Sequence, residues 1–238
     1  MVMSPAGRTG TMRKRLPRAS GFTLVEMMVV VAIVGLLAML AAAGYERLGQ
    51  RAALQNATFD LQGALSWARS RAIERGSNVW VIIYPQGKRN SATGGKGAYF
   101  VYEDLTMRFA KPGQPTFGYD DFRIDNSFNP LDTEGQLLQT RYLDDYKGGA
   151  ISFARVGTTI FPAPFSNLAP VACTVCTGGG SRGAMVFTGD GTVRFYDGTG
   201  ALLSHGDVSL ALGNTGDNRG YIFGISGATA FVASEASY

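Results

Sequence analysis

The chain has 238 residues, with 22 basic and 18 acidic side chains and a formal net charge of +4. Because 45% of the residues are hydrophobic and only 17% are charged, the composition excludes general disorder. The first 21 residues hold no acid and five cations, which are Arg8, Arg13, Lys14, Arg15 and Arg18. The rest of the chain carries 17 basic and 18 acidic side chains, a net charge of −1. The basic balance therefore belongs to the N-terminal tail and does not argue for a nucleic-acid partner.

An apolar segment follows this tail. Residues 22–43 contain a single charged side chain, Glu26. As a helix this segment would be about 33 Å long, which is enough to cross a hydrocarbon core of roughly 30 Å. No other stretch is apolar for that length, so the composition excludes a multi-span membrane protein. Five cations before the segment and none inside it predict a cytoplasmic tail, with everything beyond residue 45 outside the inner membrane.

Three other interpretations of this segment compete: a secretory signal peptide, a plain signal anchor and a buried core helix. The alanines at 41–43 run into Gly44 and a charged helical sequence, which does not look like the start of a mature protein. The flanking cations argue against a buried helix. None of the three explains Glu26, because a carboxylate in an apolar span costs on the order of 3 kcal/mol or more unless it is paired.

The residues around Glu26 form a recognisable motif. Residues 21–26 read Gly-Phe-Thr-Leu-Val-Glu and stand directly before the membrane-length span. This motif resembles the class III prepilin signal of type IV pilins and type II secretion pseudopilins. The resemblance implies that prepilin peptidase cleaves after Gly21 and that the new amino terminus, Phe22, is methylated. It also implies that Glu26 meets the amino terminus of a neighbouring subunit during assembly, a pairing that lipid favours.

The helix is predicted to continue well past the span. No proline occurs in residues 45–75, and Gly76 follows Arg75 as a suitable C-terminal stop. We therefore expect one helix from about Phe22 to Arg75. A stripe of apolar residues at helical spacing is expected to pack on the protein's own sheet, with polar groups on the other faces; it comprises Leu54, Leu61, Leu65, Ala68 and Ala72.

Beyond Gly76 the pattern changes to short extended runs bounded by turn residues. The predicted strands are 78–84, 97–102, 107–110, 122–124, 150–153, 184–188, 192–196, 208–212, 221–225 and 229–232. Turns at 189–191 and 226–227 predict two hairpins. Residues 111–149 and 158–182 are long for loops, so they are insertions or contain strands without a clear signal. The predicted fold class is α+β, a long N-terminal helix followed by a mostly antiparallel β domain.

Two regions resemble the GspH/FimT-type minor pseudopilins. The end of the predicted helix matches at Leu61, Ala64, Leu65, Ala68, Arg69, Ala72, Ile73, Arg75 and Gly76. The predicted hairpins around 187–194 and 221–231 also resemble that family. Arg71 stands where many relatives have Glu. The resemblance covers residues 21–84 and about 150–232, and it implies a type IV pilin-like fold.

Cys173 and Cys176 lie in a glycine-rich loop. In an exported domain we expect a small structural disulfide between them. A thioredoxin-type site needs a helix start after the first cysteine, and a zinc site needs two more ligands, whereas the chain has no other cysteine and one histidine, His205. We expect no catalytic residue, no bound metal and no cofactor. Three acidic pairs leave a calcium site open as an alternative; they are Glu103-Asp104, Asp120-Asp121 and Asp144-Asp145.

Together these features predict a non-enzymatic subunit divided at 1–21 (cleaved basic leader), 22–43 (transmembrane and assembly helix), 44–76 (amphipathic half of the helix) and 77–238 (periplasmic β domain). The expected partners are prepilin peptidase and other pilins or pseudopilins. A pseudopilin of type II secretion and a minor pilin that primes a type IV pilus both fit. A DNA- or substrate-binding tip module is the third alternative. DNA is disfavoured, since the last 42 residues carry only Arg219 against four acids.

Overall fold

The computed structural model describes residues 21–106, 122, 135–157, 163–179, 181–204, 206–215 and 219–237. The chain divides into two compact units, residues 1–45 and 46–238. Helix α1 spans Leu24–Arg75. The strands are β1 Asn78–Tyr84, β2 Ala98–Asp104, β3 Gly135–Tyr142, β4 Ile151–Phe153, β5 Gly183–Phe187, β6 Val193–Tyr196, β7 Asp207–Asn214, β8 Gly220–Ser226 and β9 Val232–Ser237. The predicted α+β class, a long helix followed by antiparallel sheet, is confirmed.

Local signals at both ends of α1 explain its bounds. Thr23 precedes the helix, and its side-chain oxygen accepts a hydrogen bond from the backbone N–H of Glu26 at 3.3 Å. This satisfies one of the unpaired donors of the first turn, as an N-cap residue does. At the other end Gly76 adopts a φ of +63°, the left-handed conformation in which glycine commonly terminates a helix. The predicted end at Arg75 is confirmed, and the helix begins two residues later than predicted.

The strands form two antiparallel sheets in the second unit. The five-stranded sheet has the order β3-β2-β1-β5-β6, and the four-stranded sheet has the order β4-β7-β8-β9. The turns at 189–191 and 226–227 connect antiparallel neighbours, β5 with β6 and β8 with β9, so both predicted hairpins are confirmed. Seven of the predicted strands match observed ones to within two residues at either end.

Other strand predictions differ from the structure. The strand predicted at 229–232 is wrong in position, because Ala230 sits at a φ of +50° in a turn and β9 begins only at Val232. β3 lies within the stretch 111–149 that gave no clear strand signal. The strand predicted at 107–110 lies outside the described residues. Of 122–124 only Phe122 is described, and it is not in a strand.

The main core lies between α1 and both sheets. Along its second half α1 buries a face of small and branched residues: Ala53, Leu54, Ala57, Leu61, Ala64, Leu65, Ala68 and Ala72. This face packs with Val79, Val81 and Ile83 of β1 and with Leu210 and Leu212 of β7. The prediction that the apolar stripe packs on the protein's own sheet is confirmed.

The opposite face of the five-stranded sheet carries a second, aromatic cluster. Side chains alternate across a strand, so Trp80, Ile82 and Tyr84 of β1 point away from α1. They pack with Phe100, Tyr102 and Phe122. β1 is therefore buried on both faces, which explains why its sequence is an almost continuous apolar run.

A buried carboxylate joins the end of α1 to the five-stranded sheet. Glu103 of β2 is only 1% exposed, and its Oε2 accepts a hydrogen bond from Nη2 of Arg71 at 3.1 Å. Its other oxygen accepts one from the Ser77 hydroxyl at 3.0 Å. A buried charge is stable only when it is paired and hydrogen-bonded in this way. Arg71 therefore has a structural role as the partner of Glu103.

Candidate processing and assembly segment

The first described residues hold the predicted processing site. Gly21 and Phe22 precede α1 outside regular secondary structure, and the Phe22 side chain is 76% exposed. A peptidase reaches an exposed peptide bond outside helices and sheets most easily. Thr23 then caps the helix through the N–H of Glu26, which fixes the place where helical structure begins. Sequence reasoning missed this role of Thr23, although the spacing Thr-x-x-Glu is a known N-terminal signal.

Glu26 lies in the first turn of α1. A carboxylate at a helix N-terminus is stabilised by the unpaired N–H groups of the first turn. Beyond it, no charged residue occurs until Glu46. Glu26 is therefore the single ionisable side chain of an otherwise apolar helical stretch.

The first part of α1 has the length and composition of a membrane span. Of the described helices, this is the one apolar enough over sufficient length to cross a bilayer. Its side chains are exposed from Leu24 to Leu40, and none of its most apolar stretch is buried. A core helix of a soluble domain buries such residues, so exposure disfavours that alternative. The apolar surface requires lipid or other protein to cover it.

Comparison with known proteins gives one finding for this segment. A family model described as the prokaryotic N-terminal methylation motif matches residues 16–42. No curated protein and no solved structure gives a significant match to the chain. The matched segment contains Gly21, Phe22 and Glu26, and it carries a class III prepilin-like signal. The helix and antiparallel sheets that follow it are consistent with a type IV pilin-like fold.

In the second half of α1, the side that its sequence predicts to be polar also exposes apolar side chains. Phe59 is 68% exposed, Trp67 is 42% exposed, and Ile73 is also exposed. These positions lie on one side of the helix, opposite the buried alanines, with Gly63 between the two aromatic residues. A side chain at Gly63 would meet no atom within 4 Å, so the surface there is open. We call Phe59, Gly63, Trp67 and Ile73 the outer face of α1.

Cys173 and Cys176 form a disulfide, as predicted. The loop that they close lies against β7. Cys173 forms an antiparallel β-bridge with Leu210, and the backbone N–H of Thr174 donates a hydrogen bond to the carbonyl of Ser209 at 3.0 Å. Val175 between them is fully buried. The disulfide therefore holds a buried loop against the four-stranded sheet, which is a structural role. His205, the remaining candidate for a metal site, lies outside the described residues.

The acidic pairs considered for calcium make other contacts. Glu103 accepts hydrogen bonds from Arg71 and Ser77, and Asp145 accepts hydrogen bonds from Arg89 at 2.8 and 3.1 Å. Asp120 and Asp121 lie outside the described residues. Within the part of the chain that is described, no three acidic, histidine or cysteine side chains are grouped to hold a metal ion.

Two further polar contacts affect ionisation in the second unit. The Tyr146 hydroxyl donates a hydrogen bond to Asp60 of α1; burial, followed by this contact with a carboxylate, raises the pKa of Tyr146 above its usual range. In the β5–β6 turn the Asp190 carboxylate accepts hydrogen bonds from Thr188 Oγ1 and from the backbone and side chain of Thr192. These bonds, the one from Thr188 first, lower the pKa of Asp190 to about 2. Both contacts stabilise the fold of the second unit, and both lie outside the processing segment.

Proposed function

We propose that the chain is a minor pseudopilin of the GspH/FimT type, a subunit of a type II secretion pseudopilus. The observation that carries the proposal is the methylation-motif match at residues 16–42, which coincides with an exposed apolar part of α1 whose one carboxylate is Glu26. A filament subunit needs a segment that anchors it in the membrane before assembly and a surface that contacts its neighbours afterwards. One apolar helix can do both, first in lipid and then between subunits.

In this proposal residues 1–21 are a leader that stays in the cytoplasm, because its five cations oppose translocation. Prepilin peptidase removes the leader after Gly21, and the new amino terminus on Phe22 is methylated. Residues 22–43 anchor the mature subunit in the inner membrane. Residues 44–76 complete the helix, and residues 77–238 form a periplasmic domain, where an oxidising environment suits the Cys173–Cys176 disulfide.

Assembly moves the apolar helix from lipid into a bundle of similar helices. The carboxylate of Glu26 pairs with the amino terminus of a neighbour, so neither charge stays alone in an apolar environment. Each subunit uses different surfaces toward the neighbours above and below it. Such a heterologous contact does not close on itself and produces a filament.

The outer face of α1 supports an assembly surface that extends beyond the membrane segment. An exposed apolar patch on a soluble domain often marks an interaction site, and Phe59 and Trp67 expose 68% and 42% of their surface on one side of α1. Phe59 and Trp67 flank Gly63, and a glycine at such a position lets a neighbouring helix approach closely. We therefore assign the outer face of α1 to contacts with neighbouring subunits.

A minor pilin that primes a type IV pilus uses the same leader, helix and carboxylate, and it is the alternative function. The list of adjacent genes distinguishes the two, because secretion genes and pilus-tip genes cluster differently. The family is one of structural subunits, and we propose no enzymatic activity. A DNA-binding tip module is disfavoured by the net charge of −1 beyond residue 21.

The mass of the mature protein tests the proposal. The chain is expressed from its own promoter and isolated from membranes with and without an active prepilin peptidase. We expect a mature form that begins at a methylated Phe22 when the peptidase is active, and the full precursor when it is absent. A chain that keeps Met1–Gly21 in the presence of the active peptidase would refute the processing step.

A further inference from the structure

The outermost strands of the five-stranded sheet, β3 and β6, differ in what covers their outer edges. Residues of the same chain cover the edge of β6. The N–H of Leu203 donates a hydrogen bond to the carbonyl of Phe195 at 2.8 Å, and the N–H of Val193 donates one to the carbonyl of Gly227 at 3.1 Å. Among the described residues, no backbone hydrogen bond reaches the outer side of β3. In this part of the structure β3 is therefore an open sheet edge.

Backbone hydrogen bonds at the end of β3 show which of its residues face the open edge. The N–H of Leu143, directly after β3, donates to the carbonyl of Gly97, directly before β2, at 2.8 Å. Backbone groups alternate in direction along an antiparallel strand, and the pairing of β2 with β3 is regular from residue 98 to 101. Thr140 and Tyr142 therefore turn their N–H and C=O groups outward. Nη1 of Arg141 donates to the Thr140 carbonyl at 3.4 Å, which agrees with this direction.

A groove lies between this edge and α1. It has a volume of about 540 Å³ and is lined by Trp67 of α1 and by residues 138–141 of β3. Trp67 is 42% exposed and belongs to the outer face of α1, so the groove is continuous with the surface that we assign to subunit contacts. Leu138 packs partly against the main core and adds apolar surface. An extended chain beside β3 would place side chains in this groove while its backbone pairs with the open edge.

The cation at this edge is Arg141, and its ion pair within the chain is weak. Nε of Arg141 lies 3.9 Å from Oδ2 of Asp60, and the two side chains are 46% and 45% exposed. Such an exposed pair contributes little, and Asp60 also accepts a hydrogen bond from the Tyr146 hydroxyl. Arg141 can therefore exchange Asp60 for the carboxylate of a partner at small cost. Arg141 is paired with Tyr99, which packs in the main core, so both lie on the face of the sheet that α1 covers.

The sequence of β3 indicates what kind of strand would complement it. β3 reads Gly-Gln-Leu-Leu-Gln-Thr-Arg-Tyr and contains one cation and no acid. A second copy of β3 would bring another arginine and no carboxylate. A complementary strand instead carries an acid opposite Arg141 and an apolar side chain beside Trp67, both on the groove side.

We propose that the outer edge of β3 binds an extended segment of a neighbouring subunit as an added strand, with an apolar side chain of that segment on Trp67 and a carboxylate against Arg141. The inference rests on the subunit assembly in the proposed function, and it adds a second kind of contact, made by backbone hydrogen bonds. These bonds supply affinity, whereas the groove and Arg141 select the segment and its register.

Photo-crosslinking in cells that assemble the filament tests the pairing. p-Benzoylphenylalanine replaces Gln139 in one version of the full chain and Arg141 in another, and mass spectrometry identifies the crosslinked residues. Positions two apart on a strand face the same side, so we expect the crosslinked residue of the partner to shift by about two positions along one segment. A shift of three or four positions, as along a helix, overturns strand addition.

The matched control for crosslinking carries the same probe at Arg194, an exposed residue of β6. Because the chain itself covers the edge of β6, we expect no crosslink from this position to another subunit. Equal crosslinking from β3 and β6 overturns a specific edge contact. Crosslinks that stay within one chain, or that join β3 of two copies, overturn the assignment to a neighbour's acidic segment.

Substitutions at the edge test the contact without a probe. Wild type and variant carry different tags in one cell, and their ratio in assembled complexes is compared with their ratio in membranes. Proline at position 140 removes an outward N–H that β2 does not use, a position at which edge strands accept proline. We expect about tenfold less Thr140→Pro in the complexes, because the added strand loses a hydrogen bond and meets the ring. Arg141→Gln should lower incorporation about threefold, and Arg141→Lys less.

Urea denaturation of each variant separates this effect from unfolding. Arg141→Gln changes a half-exposed side chain outside the core, so its denaturation midpoint should equal that of wild type and it decides the test if Thr140→Pro unfolds more readily. Charged residues on an open edge can also keep other strands away. That role predicts equal or greater incorporation of Arg141→Gln, and this result overturns the proposed binding role.

The same cells report on the proposed function independently. A wild-type chain that is cleaved after Gly21 and enters filaments, together with Thr140→Pro and Arg141→Gln at the wild-type ratio, overturns the β3 contact and leaves the proposed function intact. A wild-type chain that is neither cleaved nor incorporated overturns both.

Discussion

Phe59 is the most exposed aromatic residue of the outer face of α1, and it allows the assembly surface to be tested apart from folding. Its side chain is 68% exposed. A phenylalanine offers about 200 Å² for burial, so about 130 Å² remains for a neighbour to cover. At about 25 cal/mol per Å² this is worth roughly 3 kcal/mol if the cover is complete. Because alanine keeps Cβ and interfaces cover surface only partly, we expect Phe59→Ala to weaken assembly by about 1–2 kcal/mol.

Competition between two copies in one cell measures this difference. Wild type and Phe59→Ala carry different tags and are produced at equal levels, and the ratio of the two in assembled complexes is compared with the ratio in membranes. A loss of 1–2 kcal/mol corresponds to about five- to thirtyfold less variant in the complexes. Leu202→Ala is the matched control, because Leu202 is 61% exposed and lies away from the helix, next to β6. Equal incorporation of the Phe59 and Leu202 variants would show that the outer face of α1 is not an assembly surface.

Three other predictions concern the apolar part of α1, the buried ion pair and the β5–β6 turn. Glu26→Ala should be cleaved and methylated normally but should enter filaments poorly, since the neighbour's amino terminus loses its partner; normal incorporation would contradict the pairing. Arg71→Met leaves Glu103 as an uncompensated buried carboxylate and should reduce the free energy of unfolding by about 3–5 kcal/mol in urea titrations. The double variant with Glu103→Gln should recover most of that loss, and a purely additive double variant would argue against the pairing. Because the folded-state pKa of Asp190 is lowered to about 2, its carboxylate stabilises the fold above pH 4 and loses this effect as the pH falls from about 4 to 2. Asp190→Asn should flatten the stability profile in that window, and an unchanged acid transition would refute the role of the turn.

Features that depend on neighbouring residues in the sequence could be predicted. The bounds of β1 agree residue for residue, because it is an apolar run bounded by polar turn residues. The end of α1 at Arg75 followed from Gly76, whose left-handed φ the structure confirms. The processing motif was visible for the same reason, since its whole signal lies within six consecutive residues.

Features that depend on distant residues could not be predicted. β3 reads Gly-Gln-Leu-Leu-Gln-Thr-Arg-Tyr, which has no clean alternation, because it is an edge strand whose register shifts against β2 at Val101 and Tyr102. The ion pair of Arg71 with Glu103 joins residues that are 32 positions apart, so no local pattern marks it, and each residue alone looks like an ordinary surface charge.

The two faces of α1 in the second unit have different roles, one in folding and one in assembly. Substitutions only two positions apart can test these roles separately. Leu61 is fully buried against the sheets, whereas Phe59 two positions earlier is mostly exposed. Leu61→Ala removes buried methyl groups and leaves a cavity, which costs about 2–5 kcal/mol of folding stability. Phe59→Ala removes a side chain that water already surrounds, so its effect on folding should lie within about 0.5 kcal/mol. If α1 serves folding with one face and assembly with the other, only Leu61→Ala lowers the denaturation midpoint of the isolated subunit, and only Phe59→Ala assembles poorly at full stability. A Phe59 variant that unfolds as readily as the Leu61 variant would show that both faces serve the fold.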